Sequence, residues 1–121
     1  MSTQTEFTAL PGGICAPRGF AAAGVHCGIR RNPQKPALAL IRAEVRCAGA
    51  ADGYARAILV NSGNANTCAP GGLELARQTC RLAGEALGIP AEDVLPASTG
   101  VIGQPMTIDP FAAGIPAAKG S

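Results

Sequence analysis

Two short segments carry most of the chemistry open to this sequence. Asn61–Asn66 reads NSGNAN and Ser98–Gly103 reads STGVIG, each directly after an apolar run. In the second, Thr99 offers a hydroxyl and Gly100 a backbone N–H that a substrate can approach closely, because glycine has no Cβ. A hydroxyl and a neighbouring N–H aimed the same way can stabilise a developing oxyanion, each donor contributing about 2.7–4 kcal/mol in the transition state. The asparagines of the first segment bond their own backbone and tolerate left-handed angles, so NSGNAN also reads as a plain turn between strand and helix. STGVIG has the same alternative, an ordinary turn.

Other chemistries are poorly served. STGVIG is no phosphate-binding P-loop, since GxxxxGK[ST] is absent and no lysine lies between Lys35 and Lys119. It is not GxSxG, so it makes no nucleophile elbow. Ser98 and Thr99 carry nucleophilic oxygens, but the single histidine, His26, is distant along the chain. His26 is also next to Cys27, and strand alternation would point the two apart, which argues against a Cys–His nucleophile. The cysteines, Cys15, Cys27, Cys47, Cys68 and Cys80, are odd in number and include no CxxC pair. They read as reduced, small and mostly buried side chains rather than a disulfide framework or a zinc site. Glu92–Asp93 reads as a solvated turn, and no metal or cofactor site is expected.

The elements that position these segments follow from periodicity and punctuation. Residues 1–23 read as an extended leader. Gly24–Arg30 is expected to form a short strand, followed by a turn marked by Asn32, Pro33 and Pro36. Ala37–Val45 and Arg56–Asn61 are expected strands, the second apolar enough for a sheet covered on both faces. Ser62–Gly72 is expected to be a loop. Leu73, Ala76, Cys80, Ala83 and Leu87 recur at helical spacing, so a helix is expected over Leu73–Leu87, closed by Gly88 and Pro90. Val94–Ala97 is a further strand. Asp109 as N-cap and Pro110 at the first helical position open a short helix through Phe111–Gly114. The fold class is α/β (α+β), with four or five short strands and one clear helix.

Composition narrows the function classes. In 121 residues, 47% are hydrophobic but only 3% aromatic and 15% charged, with 16 Gly and 10 Pro. A core built this way relies on Ala, Val, Ile and Leu at close range. A mean hydropathy of +0.20 and a net charge of +2 argue against disorder. The weak charge and scarce aromatics argue against nucleic-acid binding. No run of 18 apolar residues is present, and the N-terminus has no apolar signal region, so a cytoplasmic setting without membrane contact is expected.

Read in order, GGICAPRGFAAAGVHCGIR, ALALIRAEV, ARAILVNSGNANTC, GGLELARQTCRLAGEALGIP and VLPASTGVIG resemble the N-terminal part of the ornithine acetyltransferases, the glutamate N-acetyltransferases of arginine biosynthesis. The likeness runs from Gly12 to about Ala117. It implies helices packed outside central β-layers, as in the related N-terminal-nucleophile aminopeptidases. It also implies a precursor cleaved before a threonine that then begins a β-chain. That threonine takes the acetyl group from N-acetylornithine and passes it to glutamate, with acetyl-CoA a further possible donor and an α2β2 assembly. Carried over residue by residue, the family's oxyanion hole falls on Thr99 and Gly100. The resemblance makes residues 1–121 a single, incomplete α-chain portion that stops before the cleavage threonine. It also implies that roughly twenty residues are absent near Gly49–Asp52, as a chain break at those positions. An aminopeptidase of related fold and a non-catalytic assembly module are the rival readings.

Overall fold

Residues 8–9, 11–16, 18–48 and 53–120 are described by a computed structural model. Gly49–Asp52, where a break is expected, lie outside the described residues. Strands β1 (Phe20–Val25), β2 (Leu38–Ala48), β3 (Tyr54–Asn64) and β4 (Val94–Val101) form one sheet in the order β1-β2-β3-β4. The first three run antiparallel, and β4 lies parallel to β3. Helix α1 (Gly72–Leu87) crosses from β3 to β4, and α2 (Asp109–Lys119) follows β4. Short 3-10 turns occupy Gly13–Cys15 and Ala91–Asp93.

Along β3, Ala55, Ala57, Leu59 and Asn61 are buried, while the intervening Arg56, Ile58 and Val60 are more open. This period-two pattern means that one face of the strand is covered, not two. The covered face meets both helices: Leu38, Leu40, Ala57 and Leu59 of the sheet share a core with Leu75, Ala83, Phe111, Ile115 and Ala118. Small residues let the layers approach. A Cβ on Gly114 of α2 would sit 2.7 Å from both Cys27 Cβ and Leu38 Cδ2. The other face keeps Ile58 38% exposed and Phe20 38% exposed. No second β-layer is present among the described residues.

Several expected boundaries move. The first strand is Phe20–Val25 and not Gly24–Arg30. Its pairing with β2 ends at Val25–Leu38, and Gly28 takes a φ of 86°, which no regular strand uses. Residues 20–23 of the expected leader are therefore sheet. β3 extends through Ser62–Asn64, and β4 through Ser98–Val101, both expected as loop. The parallel ladder, from Ala57–Val94 to Asn64–Val101, extends both.

The buried face of α1 is Leu75, Thr79, Ala83 and Gly84, and Leu73 is 67% exposed. Gly84 fixes that rotation: a Cβ there would meet the Ile89 carbonyl oxygen at 2.7 Å. Gly88 closes the helix as expected, with φ 68°, ψ 35° and its N–H bonded to the Gly84 carbonyl. Helix α2 is longer than expected and runs on to Lys119 with Pro116 inside it. Its N-cap is Ile108, not Asp109, which lies in the first turn without a capping bond. Asp93 is buried, whereas its neighbour Glu92 is solvated as expected.

Candidate functional site

The two motif segments meet because β3, α1 and β4 form a strand–helix–strand unit with parallel strands. Parallel pairing places the C-terminal ends of both strands at one edge of the sheet, where open α/β sheets bind ligands. Asn61, Ser62, Gly63 and Asn64 stand in register with Ser98, Thr99, Gly100 and Val101. An antiparallel return would have sent them to opposite ends.

Hydrogen bonds stitch the segments together. Asn61, 3% exposed, donates through Nδ2 to the Asn64 carbonyl at 2.7 Å. The Ser98 hydroxyl donates to the same carbonyl at 3.1 Å and accepts from the Asn66 N–H at 2.9 Å. The Ala65 N–H donates to the Val101 carbonyl at 2.8 Å, and the Gly103 N–H to the Thr67 carbonyl at 3.2 Å. Asn66 Nδ2 reaches the Gly72 carbonyl at 2.8 Å and so secures the start of α1. Arg30 donates to the Ser62 hydroxyl, tying the segment after β1 to the same end of the sheet.

Two glycines let the strands come this close. Gly63 has φ 122° and Gly100 has φ 126°, values that side chains rarely permit. A Cβ on Gly100 would stand 2.6 Å from the Gly63 carbonyl oxygen and 2.7 Å from the Asn64 nitrogen.

Thr99 and Gly100, the expected donor pair, are both exposed on the edge strand β4. Strand alternation turns Thr99 away from Ser98, which lines a cavity of about 350 Å³ on the helix side with Asn61, Asn66, Thr79 and Phe111. A second cleft of about 400 Å³ lies at the strand ends, between Arg30, Arg31, Gly63, Asn64, Val101 and Gln104. The Ser98 hydroxyl is engaged as donor and acceptor, so it is no free nucleophile. No hydrogen bond joins His26, which is exposed, to Ser98 or Thr99. Sequence reasoning missed Arg30 altogether, and the motif itself hid the bridging role of Ser98.

Among the described residues no three His, Cys, Asp or Glu side chains gather into a metal-binding group. No helix among them is long and apolar enough to cross a membrane. Cys15 and Cys68 are exposed, contrary to the expectation of mostly buried thiols, while Cys27 and Cys80 are half-buried. All four are free. Burial pushes the Cys27 and Cys80 thiols above the usual value, and a backbone hydrogen bond from Ile29 partly offsets this at Cys27.

Residues 48–121 match the ArgJ family. The chain belongs to the ArgJ family. Among its relatives are the arginine biosynthesis bifunctional proteins ArgJ of Symbiobacterium thermophilum and Prochlorococcus marinus, each 40% identical over 90% and 88% of this chain, respectively. A glutamate N-acetyltransferase of Methanococcus vannielii is 35% identical over 86% of the chain. The chain spans about a third of the length of these relatives, 33%, 30% and 29%.

Two solved ArgJ-type structures share the fold at 30% identity. The ornithine acetyltransferase of Mycobacterium tuberculosis, solved in complex with ornithine, gives a TM-score of 0.80 over 88% of this chain and 68% of its own. The Bacillus halodurans bifunctional protein gives 0.74 over 82% and 62%. The expected α+β class and the resemblance both hold for this ArgJ chain.

Proposed function

We propose that this chain supplies the oxyanion-stabilising side of an acetyl-transfer site in arginine biosynthesis. The register pairing of Ser62–Gly63 with Thr99–Gly100 at one end of a parallel unit carries the reading. It sets a hydroxyl and a side-chain-free backbone N–H next to each other on an exposed edge strand. In this reading the threonine that begins a partner β-chain from the same precursor attacks the acetyl carbonyl of N-acetylornithine. Thr99 and Gly100 donate to the oxygen that becomes negative. The C–N bond breaks, and ornithine leaves with the proton on its amine. The glutamate amine then attacks the acetyl ester, and the threonine oxygen leaves and regains its proton. Acetyl-CoA can enter the same ester as a second donor, its thiol being the group displaced.

Several observations support the division into chains. The chain spans 33% of the Symbiobacterium protein but 68% and 62% of the matched chains in the two solved neighbours. The open sheet face, with Phe20 and Ile58 each 38% exposed, suits cover by further protein. We assign that cover to the rest of the precursor, in an α2β2 assembly within the cytoplasm. An internal shortening also has support. The Symbiobacterium alignment runs to 131 residues yet takes in 90% of a 121-residue chain, so about twenty positions of the relative face no residue here.

Thr99→Ala in the assembled enzyme tests the reading. Acetyl transfer from N-acetylornithine to glutamate is expected to fall by about 10²–10³-fold in kcat with assembly intact. Undiminished turnover overturns the assignment.

A further inference from the structure

We infer that Ser98 is a positioning residue that holds the Thr99–Gly100 donor pair in place. The inference rests on the oxyanion reading above. The donor pair lies between two crossing ties. On one side the Ser98 hydroxyl bridges the Asn66 N–H at 2.9 Å and the Asn64 carbonyl at 3.1 Å. On the other, the Val101 carbonyl accepts from the Ala65 N–H at 2.8 Å. Thr99 and Gly100 are the only residues between those two anchor points.

The anchor matters because side-chain packing is missing at this spot. Gly63 and Gly100 face each other with no side chains, so nothing interdigitates between the strands. Among the described residues β4 has no neighbour on its outer side, and an edge strand frays more readily than a central one. Oxyanion donors act only when held at hydrogen-bond distance from the developing charge, and misplacement of about 1 Å can cost 10²-fold in rate. Here a hydroxyl does what side-chain packing does elsewhere. Buried Asn61 backs it from below, donating at 2.7 Å to the same Asn64 carbonyl. That carbonyl therefore serves both of its lone pairs, one to each donor. Removing the Ser98 hydroxyl leaves the Asn66 N–H without its acceptor and the Asn64 carbonyl with one donor.

The test compares Ser98→Ala, Ser98→Thr and Thr99→Ala in the assembled enzyme, reading kcat and KM for N-acetylornithine with glutamate as acceptor. Ser98→Ala is expected to lower kcat about tenfold or more while KM stays within about twofold. Ser98→Thr keeps the hydroxyl, and its methyl has room in the adjoining cavity of about 350 Å³, so it should recover most of the loss. Asn61→Ala should lower kcat in the same direction by a smaller factor. In the unsubstituted enzyme, the Asn66 amide should exchange its hydrogen as slowly as the amides of β3.

If Ser98→Ala turns over normally while Thr99→Ala does not, the positioning role is overturned and the oxyanion reading stands. Normal turnover in both removes the reading itself. A fall in activity matched by the loss of assembled protein, with kcat per assembled enzyme unchanged, also overturns the role. Should Ser98→Ala fail to assemble, Asn61→Ala and the Asn66 exchange rate decide. Normal kcat in Asn61→Ala, or fast exchange at Asn66, counts against the inference.

Discussion

A Cβ placed on Gly100 would lie 2.4 Å from the carbonyl carbon of Gly63, its register partner on the neighbouring strand. A Cβ placed on Gly63 would in turn lie 2.9 Å from Arg30 Cγ and 3.2 Å from Ile29 Cγ2. The segment after β1, the end of β3 and the end of β4 thus approach closely at the two glycines of the motif end. Backbone against backbone is an unforgiving contact, because neither side can rotate away.

Gly100→Ala should therefore be far more damaging than a glycine substitution that is merely strained. The left-handed φ of 126° and the backbone overlap act together, for a stability loss of about 3 kcal/mol or more. Gly88→Ala provides the comparison: φ is 68° and nothing lies within 4 Å, so the expected loss is about 1 kcal/mol. Denaturant unfolding of the two variants side by side reads the difference, and equal losses would contradict the close-packed strand ends.

Gly114→Ala should cost an intermediate amount, about 1–3 kcal/mol. Its added methyl meets Cys27 Cβ and Leu38 Cδ2, each at 2.7 Å. These are side-chain atoms, and the Leu38 methyl can shift by rotation where the Gly63 carbonyl cannot. Pairing Gly114→Ala with Leu38→Val should recover part of the loss, which a double-mutant cycle on unfolding free energy would show as coupling.

Thiol labelling should divide the cysteines by exposure. Cys15 and Cys68 are expected to alkylate rapidly near pH 8, and Cys27 and Cys80 slowly, as read by mass spectrometry of the labelled peptides. The raised thiols at Cys27 and Cys80 also set a sign for stability. The folded state favours their protonated form. Their contribution is complete below the usual thiol value of 9.0 and declines as pH rises above it, when the unfolded chain ionises first. Cys80→Ser should flatten that alkaline decline.

The ion pair between Arg81 and Glu74 on α1, at 2.9 Å, should matter little. Both side chains are more than half exposed, 55% and 56%. Arg81→Ala is expected to change unfolding free energy by less than about 0.5 kcal/mol, even at low salt. A loss above about 1 kcal/mol would mean that α1 relies on its surface charges more than on Leu75 and Ala83.

The sequence by itself determined the local pieces. The apolar run before NSGNAN, the helical spacing between Leu73 and Leu87, the Gly88 stop and the identity of both motifs were all readable. Each depends on neighbours within a few residues, and so did the family likeness of the segments in order. Tertiary structure decided where those pieces end and how they meet. Ser62–Asn64 and Ser98–Val101 are polar and glycine-rich, so they read as loops, yet they are strand because each pairs with the other across an intervening helix. The rotation of α1 that buries Leu75 and exposes Leu73 came from the contact of Gly84 with the chain at Ile89–Ala91. The role of Ser98 was invisible for the same reason. A hydroxyl has no preferred partner in sequence, and only the parallel register of β3 and β4 brings it to the Asn64 carbonyl and the Asn66 N–H.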